Sequence, residues 1–404
     1  MLRCAIITSH RSVSLQRVAN DIATVLKENS IEIAKTILYP DADPRLYRDV
    51  DVAVTVMTFD PAWVTPYLFL CRELNNKGKT CLFYTTVEGR IRRFYSDEWI
   101  YRDLAYIANS MYTKTKLVEA GAKVLNVVYH GIDISKVKAF KWMARNLRKK
   151  LDLREDDFVV GYVAGGYMRK AHDLFAEVIK IVHSKDKSIK FVVLTDKKGS
   201  EHYNDVEDVI VIPDFGNLTD DTLYGLYHVF DLYVQASLAE GFGLPVLEAL
   251  AAGKPVVHAD YAPLTEVTDE KTSFRVPVRA VVYKRETGAI EYELHYYDPE
   301  EFAEMILYAK DEVIKNRDEY TARCIERASV FDMRKTYRLF IDMLLSGGIE
   351  YVREITETTR ASVSASISRG SSSRAERDSS SVERPDNSSS GASIRSGSST
   401  KRTR

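Results

Sequence analysis

The chain has 404 residues, with 57 Lys and Arg against 58 Asp and Glu, so its formal net charge is −1. This length predicts two to three domains at roughly 150 residues each, and the neutral balance excludes a whole-molecule field that attracts nucleic acid or an anionic membrane. The sequence contains no uninterrupted run of about 18 apolar residues, so we predict no transmembrane helix. The N-terminus lacks the features of a signal peptide. We therefore predict a cytoplasmic protein with no specific nucleic-acid partner.

The first part of the chain alternates short apolar runs with longer segments of helical spacing, which is typical of βαβ units around a parallel sheet. The clearest helix is residues 14–28, in which apolar residues recur at three- and four-residue steps and form one stripe. We predict strands at residues 4–8, 32–37, 50–57, 80–84, 105–108 and 124–128.

A second alternation follows a basic, amphipathic segment that begins at residue 140. We predict strands at 158–163, 190–194, 209–212, 232–235 and 255–258, and helices at 172–183, 220–229 and 244–252. Residues 275–297 are predicted to form a hairpin around Thr287 and Gly288, and residues 299–345 to be helical. The fold class is therefore α/β, with two doubly wound Rossmann-like domains at 1–139 and 158–330 joined by 140–157 and facing each other across a cleft.

The last 44 residues, 361–404, contain 17 Ser and no aromatic residue. So little apolar surface cannot offset the entropy of ordering the backbone, so we predict a disordered tail. It is weakly basic, and it could contact membranes or nucleic acid or be an inert extension.

Cysteine and histidine spacing gives no sign of a metal site. Cys4, Cys71, Cys81 and Cys324 are scattered without a C-x-x-C pair, which predicts neither a disulfide framework nor a thiolate site. Buried free thiols are the simpler interpretation. The eight His show no H-x-H or H-x-x-x-H spacing, so we predict no bound metal.

The most informative segment follows the predicted strand 232–235. Gly241 and Gly243 lack a Cβ, so the backbone can turn sharply and approach a ligand closely there. The helix that starts next directs free amides at the crevice beyond the strands, which suits a phosphate. Glu248 lies about one turn inside, and its two oxygens can accept hydrogen bonds from the vicinal hydroxyls of a ribose. Glu240 precedes the glycines and would face a second group that carries hydroxyls or developing positive charge.

Several other segments accompany these two glutamates in order: Ala108-Asn109-Ser110, Val128-Tyr129-His130-Gly131-Ile132-Asp133, Gly165-Gly166-Tyr167-Met168-Arg169-Lys170, Ala252-Gly253-Lys254-Pro255-Val256-Val257 and Phe331-Asp332-Met333. With the seven-residue gap between the glutamates, the set resembles the E-x7-E signature and flanking motifs of the family 4 glycosyltransferases, retaining enzymes of the GT-B fold. The resemblance covers residues 2 to about 346.

The resemblance implies a role for each matching residue. Glu240 would contact the transferred sugar, Glu248 would hold the donor's ribose, and Arg169 and Lys170 would neutralise the leaving diphosphate. Fixed cations stabilise that charge as it forms. The implied catalytic set is Glu240, Arg169 and Lys170, and the implied donor-binding set is Gly241, Phe242, Gly243, Leu244 and Glu248.

The resemblance also implies substrates. The donor is a nucleotide-diphosphate sugar on residues 158–330, and the acceptor enters from residues 1–139, which a helix at 331–350 completes. The acceptor could be a glycan, a lipid-linked molecule or a protein. No cofactor or catalytic metal is implied, and whether retention proceeds through same-face attack or a covalent intermediate stays open.

The first loop departs from the family, because Ser9-His10-Arg11-Ser12-Val13-Ser14 carries no glycine pair. The Ser12 hydroxyl and the helix N-terminus could still bind the diphosphate. His10, after the first strand, is an acceptor-side candidate, although it and His130 could equally be structural. Glu88 could contact the acceptor or assist its deprotonation, with local turn stabilisation as the alternative. A group of aromatic and basic residues could form a surface for peripheral membrane contact: Arg90, Arg92, Arg93, Phe94, Tyr95 and Trp99. The alternative is that these residues form a salt-bridged face.

The four charged residues and the predicted fold also allow other interpretations. Arg169 and Lys170 could belong to a solvated loop, and Glu240 and Glu248 could be exposed carboxylates that favour a helix dipole. The same fold could support a nucleotide-sugar epimerase or a phosphorylase. It could also support a non-catalytic protein that binds partners through the Ser-rich tail.

Overall fold

The computed structural model describes residues 2–10, 12–38, 43–91, 104–285 and 290–345. These residues fall within the first of the two units into which the chain divides, Met1–Glu357. The Ser-rich tail lies outside the described residues, as do Thr287 and Gly288 of the predicted hairpin tip. Outside them too lies most of the predicted aromatic and basic surface: Arg92, Arg93, Phe94, Tyr95 and Trp99.

The elements of the described part follow one another in the expected α/β alternation. The strands are β1 (Arg3–Ile7), β2 (Glu32–Ile37), β3 (Val52–Thr58), β4 (Thr80–Thr86), β5 (Gly89–Ile91), β6 (Ala105–Ala108), β7 (Lys123–Val127), β8 (Phe158–Val163), β9 (Ile189–Leu194), β10 (Val209–Ile212), β11 (Leu232–Gln235), β12 (Val256–Ala259), β13 (Ser273–Val276), β14 (Ala280–Lys284) and β15 (Ile290–Tyr296). The helices are α1 (Val13–Glu28), α2 (Pro61–Asn76), α3 (Met111–Glu119), α4 (Ile134–Ala139), α5 (Ala144–Lys150), α6 (His172–Lys185), α7 (Lys197–Ser200), α8 (Asp220–Val229), α9 (Leu244–Ala251), α10 (Leu264–Val267), α11 (Pro299–Lys315), α12 (Arg317–Ser329), α13 (Met333–Thr336) and α14 (Arg338–Leu345).

Two six-stranded parallel sheets organise these elements. The first has the order β2-β1-β3-β4-β6-β7 and the second the order β10-β9-β8-β11-β12-β13. Strands such as β4 and β8 are buried along their whole length, because a parallel sheet is covered on both faces. This is why they appear in the sequence as continuous apolar runs. We call the elements around the first sheet the first half and those around the second sheet the second half.

Each sheet has a point at which the chain begins to add strands on the opposite side. In the first sheet this point lies between β1 and β3, and in the second between β8 and β11. Ligands in open α/β sheets bind beyond the carboxyl ends of the strands at such a point. This topology therefore predicts a ligand site in the second half at the loops that follow β8 and β11.

The chain returns to the first half at its C-terminal end. Met333, Tyr337 and Phe340, from the segment that contains α13 and α14, are buried in one core with Ile6 of β1 and Val18 of α1. The two halves are thus joined by a crossover between β7 and β8 and by this return.

The predicted strands agree with the observed ones within two residues, but the predicted hairpin is wrong in extent. Ser273–Val276 pairs in parallel with β12 at the edge of the second sheet, and only β14 and β15 form the antiparallel pair. In addition, β15 pairs with β5 of the first half, with Tyr292 opposite Gly89. A strand of three residues leaves no periodic pattern, so this pairing could not be predicted from local spacing.

The prediction of buried free thiols holds for Cys4 and Cys324 and is wrong for the other two cysteines. Cys71 of α2 and Cys81 of β4 form a disulfide. The helix and the strand that follows it pack together, which brings the two residues close although their spacing matches no recognised motif. No helix in the described ranges is long and apolar enough to cross a bilayer.

Candidate functional site

The loop after β11 turns on two glycines. Gly243 has φ +101° and stands directly before α9, and a Cβ there would lie 2.8 Å from Leu264 Cδ2. At Gly241 a Cβ would lie 2.2 Å from Thr86 Oγ1 of the first half. Both positions therefore require glycine, one for its backbone angle and the other for close approach of the two halves.

Glu240 lies in this loop as a buried carboxylate among polar side chains. Its exposed fraction is 6%. Lys170 Nζ lies 2.5 Å and Gln235 Nε2 2.6 Å from Glu240 Oε1, and Arg169 Nη1 lies 3.8 Å from Oε2. Burial would raise the pKa of Glu240, but the ammonium of Lys170 and the guanidinium of Arg169 outweigh it and hold that pKa below its ordinary value. The carboxylate is thus ionised at neutral pH.

The two cations come from a short turn, Met168–Lys170, in the loop after β8. Hydrogen bonds from the regions of both β8 and β11 hold this turn in place. The Tyr162 hydroxyl of β8 donates to the Lys170 carbonyl, and the Leu238 amide, after β11, donates to the Arg169 carbonyl at 2.8 Å. Ala171, the next residue, has φ +51°, an unusual backbone angle for a residue with a Cβ. Burial and the charge of Arg169 lower the pKa of Lys170.

The first half reaches this cluster through two side chains. Arg169 Nη2 lies 2.7 Å from Glu88 Oε1, and both side chains are largely buried. Asn109 Nδ2 donates to the Gly241 carbonyl at 3.1 Å. Glu88 is therefore more than a local turn residue. The structure brings Glu88, Glu240, Arg169 and Lys170 together, four of the residues predicted from the sequence.

Glu248 sits at the other end of the turn, in the first turns of α9. It is buried, with 4% of its surface exposed, and Arg17 Nη1 from α1 lies 2.9 Å from its Oε1. Burial is the larger influence and raises the pKa of Glu248, although Arg17 lowers it. Within the described ranges Glu248 and Glu240 share no hydrogen-bond or ion-pair partner, so the two carboxylates serve different neighbours.

The remaining predicted residues lie nearby with local roles of their own. Ser12 caps α1 by accepting a hydrogen bond from the Leu15 amide at 3.4 Å. The Phe242 ring is buried against His130, with centroids 5.0 Å apart, and Leu244 is half-buried at the start of α9.

His10 and His130 differ in their surroundings. His10 is exposed, with Nδ1 3.3 Å from the Leu38 carbonyl, and its place on the acceptor side stays a prediction. Tyr84 donates its hydroxyl to the Val128 carbonyl at 2.7 Å, and His130 Nδ1 lies 2.7 Å from the same hydroxyl oxygen. Burial lowers the pKa of His130 to about 3, so this ring is neutral and packed in the core.

Two residues of the site were missed from the sequence. Gln235, at the end of β11, is fully buried and bonds Glu240. A polar residue ending a buried strand is a usable signal. Arg17 gave no signal, because its partner lies 231 positions away. Among the described residues no group of three or more His, Cys, Asp or Glu could hold a metal ion.

Chemically, the arrangement places the carboxylates of Glu240 and Glu88 beside the cations Arg169 and Lys170 in a desolvated crevice, and Glu248 lies about one turn inside helix α9. Fixed charges of both signs in such a setting stabilise charge that develops during a reaction. A ligand that becomes anionic at one atom and cationic at another suits this crevice best.

Residues 157–309 match the family model described as glycosyl transferases group 1. Uncharacterized glycosyltransferase 335 of Sulfolobus islandicus rod-shaped virus 1 is 29% identical over 351 residues, which are 84% of this chain and all of that protein.

Solved structures share the fold at low identity. A glycosyltransferase from Rickettsia africae has a TM-score of 0.62 at 15% identity, over 88% of this chain and 98% of that one. HepE of Anabaena in complex with UDP-glucose has a TM-score of 0.62 at 15% identity, over 86% of this chain and 100% of that one. The predicted fold, two Rossmann-like sheets in the GT-B arrangement, is confirmed.

Proposed function

We propose that this protein, whose residues 157–309 match the model of the group 1 glycosyl transferases, transfers a sugar from a nucleotide-diphosphate sugar to an acceptor hydroxyl with retention of configuration, through the site described above. One observation carries the assignment of the site: the buried carboxylate of Glu240 lies beside Lys170 and Arg169 at the switch point of the second sheet. The proposed donor domain is 158–330. The proposed acceptor domain is 1–139, with the C-terminal segment from residue 331.

The charges of the cluster suit the breaking of a glycosyl–phosphate bond. As the bond lengthens, the diphosphate takes up negative charge, which Arg169 and Lys170 stabilise, and the sugar takes up positive charge at its anomeric carbon. Glu240 is ionised, so its role is to bind and stabilise the sugar rather than to donate a proton. The separation of charge is therefore favoured at both ends of the breaking bond.

The second carboxylate suits the nucleoside end of the donor. Glu248 lies eight residues after Glu240, on the helix whose N-terminal amides follow Gly243. Amides at a helix start bind phosphate, and a carboxylate one turn further is placed for ribose hydroxyls. Glu88 is proposed for the acceptor side, because it comes from the first half and meets Arg169.

The donor is proposed to be a uridine-diphosphate hexose, since HepE of Anabaena, with the same fold, was solved with UDP-glucose. The acceptor is proposed to be a glycan, lipid-linked or protein hydroxyl.

The test uses the full chain with a panel of nucleotide sugars, UDP-glucose, GDP-mannose and ADP-glucose among them. A true donor at a hundred times its dissociation constant should add about 2.7 kcal/mol to the free energy of unfolding. Release of nucleoside diphosphate should then depend on an added acceptor and give a glycoside. Glu240→Gln should bind the donor and lose transfer. Its control is Glu291→Gln, which breaks an Arg pair outside the cluster and should retain both.

An isomerised donor without transfer would instead indicate an epimerase, and release driven by inorganic phosphate would indicate a phosphorylase. Binding to no nucleotide sugar would overturn the proposed function.

A further inference from the structure

Arg17 is a first-half side chain whose described polar contacts are with second-half groups. Its Nη1 lies 2.9 Å from Glu248 Oε1, and its Nη2 lies 3.0 Å from the Tyr224 hydroxyl and 3.3 Å from Asp220 Oδ1. The guanidinium carbon also lies 5.3 Å from the centroid of the Tyr224 ring. A planar guanidinium makes such divergent contacts where a lysine would act as a point charge.

Arg17 is the counter-ion of the Glu248 carboxylate. The groups that face its carboxylate are Arg17 from α1, Asp220, Tyr224 and Tyr227 from α8, and Tyr233 from β11. Arg17 is the one cation in contact with it among the described residues. The Tyr227 hydroxyl beside it is buried with no hydrogen bond of regular geometry. Without Arg17 the carboxylate would be a buried charge with no counter-ion.

We propose that Arg17 is a positioning residue for the donor, which supplies the counter-charge to Glu248 and aims its carboxylate so that it can accept hydrogen bonds from the ribose. This inference rests on the proposed function. It adds that the nucleoside end of the site is assembled from both halves. Because α1 contributes the cation, donor affinity depends on α1 being docked against α8 and α9.

A purely structural ion pair on α1 would behave differently. Arg334 of α13 provides a matched control, because its Nη2 lies 2.9 Å from Glu28 Oε1 on the same helix α1 and its Nη1 lies 3.4 Å from Asp133. Arg334→Gln removes an arginine pair from α1 without touching Glu248. Loosening of α1 alone should therefore affect Arg334→Gln and Arg17→Gln alike.

The experiment measures the affinity of the full chain for UDP-glucose by calorimetry between pH 6 and pH 8.5, a range in which that donor does not titrate. GDP-mannose and ADP-glucose are measured in parallel. Arg17→Gln should bind about tenfold more weakly at pH 6.5. The loss should shrink as the pH rises, because Glu248 without its cation ionises only at higher pH.

Arg17→Lys should restore binding to within about threefold, and the Arg334→Gln affinity should match that of the unaltered protein. Unchanged affinity in Arg17→Gln, or a pH-independent loss shared with Arg334→Gln, would overturn the role of Arg17 and leave the proposed function intact. Failure of the unaltered protein to bind any of the three donors would overturn both.

Discussion

The two halves have similar sheets but use the loops after their strands in different ways. In the second half, Glu240 and Lys170 are 6% and 9% exposed and pair with each other. In the first half, the loop after β1 carries an exposed His10 and a Ser12 that caps its own helix. The second half therefore contains desolvated charges already held in place, whereas this first-half loop is built around helix α1.

The first half contributes individual charged side chains to the site, and these pair with charged groups of the second half. Glu88 pairs with Arg169 and Arg17 with Glu248. A buried charge is costly unless it is paired, so each contact is favourable only while the halves are together. The second half thus holds a buried charged pair of its own, and the first half makes the surrounding arrangement depend on contact between the two halves.

Lys170→Met should give the largest effect, because it breaks the pair inside the second half. Loss of a fixed cation at the leaving diphosphate should reduce transfer at least about 100-fold, measured as kcat. The free energy of unfolding should fall by about 3 kcal/mol, since Glu240 is left buried beside the more distant Arg169.

The double variant Lys170→Met with Glu240→Gln separates these two losses. Removing both partners should recover most of the stability, measured by denaturant unfolding, because no unpaired charge remains. Transfer should stay at least about 100-fold below normal. Recovery of transfer in the double variant would show that the pair is a structural feature only.

Much of the fold and half of the site could be predicted because each depends on neighbours in sequence. Strands such as β8 appear as apolar runs, and the turn at Gly241 and Gly243 is recognised from residues that adjoin β11. Glu240 and Lys170 meet because both follow strands at a switch point, which the topology dictates.

The rest depends on contacts between distant segments that no local pattern encodes. Arg17 and Glu248 are 231 positions apart, and their pairing requires knowledge of how the halves dock. The pairing of β15 with β5 and the Cys71–Cys81 disulfide have the same origin. Glu266 of α10 likewise caps α3 of the opposite half, by accepting hydrogen bonds from the amides of Met111 and Tyr112.

Glu266→Gln should give the smallest effect, because it weakens contact between the halves without touching the cluster. The charge at the N-terminus of α3 is lost, so the free energy of unfolding should fall by about 1 kcal/mol. Transfer should stay within about twofold of normal. Glu119→Gln, at the exposed C-terminal end of α3, is the control and should leave unfolding unchanged; an equal loss there would rule out capping.

Glu240 is proposed to act in sugar transfer and Glu248 in donor binding. Steady-state kinetics and donor affinity, measured on Glu240→Gln and Glu248→Ala side by side, test this difference most directly. We predict that Glu240→Gln loses at least about 100-fold in kcat with donor affinity within about threefold of normal. Glu248→Ala should instead weaken donor binding at least about tenfold. Near-normal kcat in a folded Glu240→Gln protein would contradict the account.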